Sequence, residues 1–406
     1  MELLAPAGNF SKMKYAIEYG ADSVYLGLPS LSLRARINDF TPLKLEEAIK
    51  YCHDHNKKIY VTVNIYAHNH HLKSIEQNLK LLNKLKPDAV IISDPGIIML
   101  AKKHLKGIDL HLSTQANCTN WQAAQFWHKQ GIKRIILARE LNLKEINEIH
   151  KKVPQLELEG FGHGAMCMAY SGRCILSSYL ANRSANLGDC SHPCRWSYKL
   201  HLEEETRPGE FMPIEEDQHG TYILSSKDIC MIKYLKEMER AGIKHFKIEG
   251  RTKSIAYLAN AVKIYRQALD NMNNKSLTDN LYKELQKISN RDFTTGFYFD
   301  TEKVKMQNYN KTHFRSESEF CGEVIESKKN NKKAWQAKIK VHNVIRSGET
   351  IEFIRPLQDN FTEKIKEIFD LDKKKNVKEV HGGQGKAILV KLNKEVPVMT
   401  ILRKKI

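Results

Sequence analysis

Short apolar runs alternate with helix-periodic stretches from the first residue of this 406-residue chain. MELLAPAG, SVYLG (23–27), KIYVTVNIYAH, AVIISD (89–94), DLHLSTQAN (109–117), RIILARE (134–140) and LELEGFGHG (156–164) read as seven strands. The stretches between them have helical spacing. LKLEEAIKYCHDHN, for example, puts Leu45, Ala48, Ile49 and Cys52 on one face. After a long interruption, HFKIEGR (245–251) supplies an eighth strand, and SIAYLANAVKIYRQALDNM a helix behind it. Repeated strand–helix units predict a parallel sheet. Eight of them in roughly 270 residues suit a TIM-like (β/α)8 barrel better than an open sheet. An open doubly wound sheet normally carries a glycine-rich phosphate loop after its first strand, and PAGNFSKM is no GxGxxG.

The pattern also sets the domain boundaries. Residues 1–275 form the barrel, interrupted by an insertion at about 164–222. Residues 276–317 form a helical and loop connector, with RDFTTGFYFD as a loop. From about 318 to 406, β-branched alternation between turn-rich segments predicts a small C-terminal β-barrel. Barrel chemistry sits at the C-terminal ends of the strands. Those ends carry Gly8 and Asn9, Gly27, Asn64, Asp94, Gln115, Arg139, His163, and Glu249 with Arg251. Asn9 and Asp94 read individually as helix N-caps. Together the set describes a polar mouth.

Charge adds a partner. Lys and Arg outnumber Asp and Glu by 65 to 47, a net charge of +18. That points to a polyanion, nucleic acid or an anionic membrane, and the alternative is a lysine-biased genome. The runs 328–333 and 373–375 would belong to such a surface, or be solvated charge. The N-terminus lacks a signal-peptide pattern and no window is apolar enough to span a bilayer, so the expectation is a cytoplasmic protein with no membrane partner. In that compartment thiols stay reduced, and clustered cysteines indicate metal binding or catalysis.

Four of the eight cysteines fall within 28 residues: Cys167, Cys174, Cys190 and Cys194. The spacing Cys-x6-Cys-x15-Cys-x3-Cys has no CxxC knuckle of the structural-zinc kind. A loop wrapping a [4Fe–4S] cubane fits it better, with zinc, redox disulfides and unlinked thiols as the alternatives. Arg173 and Arg195 would favour thiolates. Cys52, Cys118 and Cys321 read as small buried residues. Cys230 reads as core too, though as a fifth nearby cysteine it is an alternative ligand.

The string EGFGHGAMCMAYSGRCILS (159–177) resembles the signature of the collagenase-like peptidase family U-32. MELLAPAG, RPGEFMPIEEDQHGTYILSSKD (207–228) and KIEGRTKS (247–254) resemble one branch of it, the tRNA hydroxylation proteins that make wobble 5-hydroxyuridine. The resemblance implies a cluster-bearing barrel enzyme with Cys167, Cys174, Cys190 and Cys194 as ligands, and prephenate rather than molecular oxygen as co-substrate. DCSHPCRW keeps the Cys-x3-Cys pair, which not all of the family's ubiquinone-synthesis members do.

Three classes of function follow. The first is an RNA-modifying oxidoreductase acting on the tRNA anticodon loop, with an electron donor and iron–sulfur assembly proteins as further partners. Glu249, Arg251 and His163 are its catalytic candidates. Asn64, Gln115, Arg139, Arg36 and Trp196 are its substrate-binding candidates, the arginines holding phosphate or a small dicarboxylate, and Trp196 or Tyr170 stacking on the base. The second is a peptidase, with His163 or His192 as base to a cysteine, although there is no HExxH and no GxSxG. The third is an RNA-binding protein with a structural metal.

Overall fold

The computed structural model describes residues 1–29, 31, 39–167, 169, 173–196, 201–202, 205–206, 208–209, 212–213, 227–288, 290–299, 316–330, 334–383 and 385–406. Seven parallel strands follow one another, each leading towards a helix. They are β1 (Glu2–Pro6), β2 (Ser23–Gly27), β3 (Lys58–Val63), β4 (Ala89–Ile92), β5 (Asp109–Leu112), β6 (Arg134–Ile136) and β7 (Glu157–Ala165). The helices are α1 (Phe10–Glu18), α2 (Pro42–Asp54), α3 (Leu72–Leu85), α4 (Pro95–His104), α5 (Trp121–Lys129) and α6 (Leu143–Lys152). Asn9 and Asp94 are N-caps, accepting from the backbone N–H of Lys12 at 2.8 Å and of Ile97 at 3.0 Å, as their sequence contexts predict.

The cysteine-rich segment follows β7. It contains α7 (Leu176–Ala181) and a short hairpin, β8 (His201–Leu202) with β9 (Met212–Pro213). The chain returns through β10 (Asp228–Cys230), which runs antiparallel to β7. After α8 (Leu235–Arg240) comes β11 (Ile243–Ile248), which pairs in parallel with both β1 and β7 and closes an eight-stranded barrel. Next are α9 (Ile255–Asp270), α10 (Lys275–Lys287) and β12 (Phe293–Thr294), which pairs with β10. The predicted RDFTTGFYFD loop is therefore partly a strand. Its Tyr298 hydroxyl, bonded to the Phe161 carbonyl at 2.8 Å, holds it against the barrel.

The C-terminal part is an antiparallel half-barrel with its own apolar core, which includes Val324, Ile339, Phe353, Ile388 and Leu402. Lys328, Lys329 and Lys373–Lys375 are exposed on it. Polar anchors hold the half-barrel to α1, α9 and α10. The Tyr19 hydroxyl donates to the Ile354 carbonyl at 2.7 Å, and that of Tyr15 to the Glu323 carboxylate. Lys263 donates to the carbonyls of Arg355 and Gln358 at 2.9 and 2.5 Å. Arg403 is buried between Glu352, at 2.8 Å, and Glu284 of α10, at 2.6 Å. Among the described residues no helix is long and apolar enough to cross a membrane.

Arg403→Met leaves half-buried Glu352 without its cation and half-buried Glu284 with Lys287 alone. Loss of one member of a fully buried pair costs about 3–5 kcal/mol, and water still reaches these carboxylates, so about 2 kcal/mol is expected in urea unfolding. A loss under about 0.5 kcal/mol, the usual scatter of surface substitutions, would mean that Arg403 does not anchor the half-barrel.

Candidate active site

Apolar β-branched side chains ordinarily fill the inside of a TIM barrel. Here the layer at the N-terminal end is charged. Arg134 of β6 reaches Glu157 at 3.0 Å, Glu159 at 3.3 Å and Glu2 of β1 at 3.4 Å. His245 of β11 lies within 3.2 Å of Glu2 and 3.3 Å of Glu157. Burial opposes charge on Glu2, but the His245 hydrogen bond and the charge of Arg134 outweigh it and hold this carboxyl well below the usual range. One turn of side chains higher, Lys247 donates to Glu159 at 2.7 Å, and both groups are buried.

Above Lys247 the barrel opens into a cavity of about 340 Å3. The strand-end residues Asn64, Gln115, Arg139, Glu249 and Arg251 all line it. The Arg139 guanidinium stacks 3.9 Å from the Phe161 ring centroid and stands 3.9 Å from Glu249. The Tyr25 hydroxyl donates to the Ile248 carbonyl at 3.1 Å and reaches Glu249 at 3.4 Å. Gly8 makes room for the end of β11, because a Cβ there would lie 2.4 Å from the Arg251 carbonyl oxygen.

The cysteine segment forms the other wall. Cys167, Cys174, Cys190 and Cys194, together with His192, line the same cavity. All eight cysteines are thiols in this structure, and these four are half-buried. The segment is tied to the barrel. Arg173 donates from Nε and a terminal nitrogen to the Gln115 carbonyl at 3.3 and 3.0 Å. Asn186 accepts from the Cys174 N–H at 3.1 Å through its side chain, and from the Tyr66 N–H at 3.2 Å through its carbonyl. The His192 N–H donates to Cys190 Sγ at 3.4 Å. The donor set is of the kind that an iron–sulfur cluster takes. Its sulfurs share one wall without forming a coordination shell: among the described residues no three His, Cys, Asp or Glu side chains stand close enough to hold a metal ion.

Other expectations come out differently. His163 does not face the cavity. A register shift in the β7–β11 pairing lies between Phe161, opposite Lys247, and His163, opposite Ile248, and it reverses the alternation of β7. The His163 ring is turned outward among Tyr257, Tyr265 and Phe293, and its Nδ1 lies 3.2 Å from the Tyr265 hydroxyl. Burial, with Lys253 nearby, pushes its pKa down to about 3, so it stays neutral. Period-two counting along β7 misses the bulge, and His163 lies outside the cavity. Trp196 is 42% exposed on the outside of the cysteine segment, its indole N–H donating to the Ser191 carbonyl at 3.3 Å. Arg36 and Tyr170 lie outside the described residues, as do most of 207–228. Cys230 is core: its Sγ is 3.4 Å from the Tyr265 hydroxyl, and burial pushes its thiol up to about 11. Sequence reading missed Lys247, Tyr25 and Phe161. Lys247 did leave a signal, as a lone cation inside the otherwise apolar second half of β11.

A closed parallel barrel whose mouth joins converging cations to four thiols is the architecture of a TIM-barrel enzyme. Residues 8–308 match the family model of peptidase family U32, and residues 316–403 match that of its C-terminal domain. The chain belongs to peptidase family U32. It is 39% identical over 401 residues to tRNA hydroxylation protein P of Escherichia coli, an alignment that covers 89% of this chain and 88% of that one. It is 46% identical over 306 residues to an uncharacterized protease of Methanocaldococcus jannaschii, covering 74% and 73%. It is also 38% identical over 271 residues to the 23S rRNA 5-hydroxycytidine C2501 synthase of Escherichia coli, covering 66% of this chain and 39% of that one.

The bulge depends on Gly162, where an added Cβ would fall 1.9 Å from the Phe246 ring. Gly162→Ala is expected to destabilise the protein by about 3 kcal/mol in urea denaturation, the upper end of overpacking costs. A loss below about 1 kcal/mol would show that Phe246 can give way and that the bulge does not rest on this glycine.

Proposed function

We propose that this protein hydroxylates RNA, converting the wobble uridine of a tRNA anticodon loop to 5-hydroxyuridine. In this reading Cys167, Cys174, Cys190 and Cys194 hold a [4Fe–4S] cluster, and prephenate serves as co-substrate in place of molecular oxygen. The observation that carries it is that the four cysteines and the polar strand ends border one cavity. The relatives named for tRNA hydroxylation and for rRNA 5-hydroxycytidine synthesis support the same chemistry. When bound, such a cluster supplies electron transfer next to the substrate.

The chain's own residues bind and orient. Bases of an anticodon loop are partly unstacked, so presenting one costs only a few kcal/mol. Tyr179, 83% exposed, and Trp196 offer stacking faces on the outside of the cysteine segment. Arg251 and Arg139 supply guanidinium forks to the chamber, and Glu249 orients Arg139 across 3.9 Å. The net charge of +18 favours a polyanionic substrate. A tRNA-acting protein works in the cytoplasm, with an electron donor and cluster-assembly proteins as partners. The protease reading loses His163, which is walled off behind β7, and keeps only His192 beside the cysteines.

Two outcomes are expected. Anaerobically purified protein carries about one cluster per chain. Serine at any one of Cys167, Cys174, Cys190 or Cys194 removes or degrades its brown absorbance, whereas Cys52→Ser and Cys321→Ser leave it. Stoichiometric zinc without iron would overturn this. In a deletion strain, mass spectrometry of tRNA nucleosides shows loss of 5-hydroxyuridine derivatives, most clearly without oxygen. Arg251→Ala reproduces that loss with the cluster absorbance intact. Unchanged nucleosides in the deletion strain, with no redundant enzyme present, would end the reading.

A further inference from the structure

The cavity holds polar groups that the protein itself leaves unsatisfied. An ammonium has three N–H donors. Lys247, 4% exposed, spends one on Glu159 at 2.7 Å, and its other contacts are the faces of Tyr25, at 4.2 Å, and Phe161, at 5.5 Å. Glu159 does not depend on Lys247 alone, since its second oxygen takes Arg134 at 3.3 Å. Arg139 stands on the same Phe161 ring, and its Nε is buried without a hydrogen-bond partner. Gln115 presents a buried Oε1 that accepts nothing. Buried polar groups are normally satisfied, so the two unpartnered atoms that line this cavity, Arg139 Nε and Gln115 Oε1, point to a ligand there, and Lys247 adds a buried ammonium with a single hydrogen bond. The lining also includes apolar Ile91, Ile136, Phe161 and the ring of Tyr25, beside polar Thr62, Asn64 and Ser113.

We infer that Lys247 and Arg139 form the two ends of a seat for a small organic dicarboxylate, and that Gln115 Oε1 accepts a hydrogen bond from its hydroxyl. The inference rests on the reading of this cavity as the reaction chamber and makes Lys247 its specificity-determining residue. The cations flank one aromatic ring, so a compact molecule bridges them. The acid therefore sits on the barrel floor, below the thiol wall, and leaves the mouth for the nucleotide. A monocarboxylate without a hydroxyl would leave one cation and Gln115 unsatisfied, and sites built to pair polar groups reject such analogues strongly.

The test is calorimetric titration of the anaerobically prepared holoprotein with prephenate and, separately, with phenylpyruvate, which has one carboxylate and no hydroxyl. The wild type is expected to bind prephenate at least tenfold more tightly. Lys247→Met leaves Glu159 with Arg134 alone, so the working variant is Lys247→Met with Glu159→Gln, checked by circular dichroism. It should lose at least tenfold in prephenate affinity while tRNA affinity and cluster absorbance stay unchanged. Gln115→Met, which keeps every charge, should narrow the preference for prephenate and serves alone if the double variant does not fold. Prephenate binding within twofold of wild type in both variants would overturn the seat, as would a wild type that does not distinguish the two acids. Failure of the hydroxylation reading appears elsewhere, as unchanged tRNA nucleosides in the deletion strain.

Discussion

The Glu159–Lys247 ion pair links the charged barrel interior to the floor of the cavity above it. Glu159 is fully buried and sits between Lys247, at 2.7 Å, and Arg134, at 3.3 Å. Breaking such a pair by removing one partner leaves an uncompensated charge, which costs about 3–5 kcal/mol. Replacing both partners with apolar side chains is often neutral or stabilising, so stability alone does not account for a charged barrel core. What the pair secures is position. A cation is fixed at the floor of the chamber, in a water-poor place where it needs no reorganisation to meet an anion. Burial disfavours the charged form of Lys247 and pulls its pKa down, and Glu159 opposes that shift.

The thiol wall depends on the barrel in turn. Among the described residues of the cysteine segment, Ile175, Tyr179 and Leu187 are exposed. Polar straps hold it. Arg173, directly before Cys174, grips the carbonyl of Gln115, and Asn186 joins the Cys174 N–H to Tyr66 beyond β3. Ser177, fully buried, takes the Ser191 N–H at 2.9 Å between the two halves of the segment. Thiols and strand ends share a cavity because these bonds run from the cysteine segment to the ends of two strands.

Much of this was legible in the sequence. Alternating runs located all eight barrel strands, and strand-end counting picked five residues that line the cavity: Asn64, Gln115, Arg139, Glu249 and Arg251. That worked because parallel strands place their C-terminal ends on one face. It failed at His163, where a bulge breaks the period-two rule in a stretch whose only visible sign is Gly160, Gly162 and Gly164 in alternation. It also passed over Lys247. Strand-end reasoning looks at the last residue of a strand, whereas a chamber floor is built by side chains one layer down. The clustered cysteines could be seen to act together. Whether they faced the barrel mouth or solvent could not, because that orientation is set by Arg173 and Asn186 reaching residues distant in the chain.

The two groups of cysteines show how environment divides one residue type. Cys52, Cys118, Cys230 and Cys321 are buried, and burial raises their thiols to about 11 or 12, so they persist as protonated, unreactive packing groups. The other four stand half-buried at a cavity that also receives Arg139, Arg251 and Lys247. These four have the access to a ligand that the buried four lack. A barrel floor of this charge without the thiol wall would be only an anion pocket. The chemistry open to the protein comes from their overlap, and the overlap exists because the cysteine segment leaves the barrel from the C-terminal end of β7 and is tied down again across its mouth.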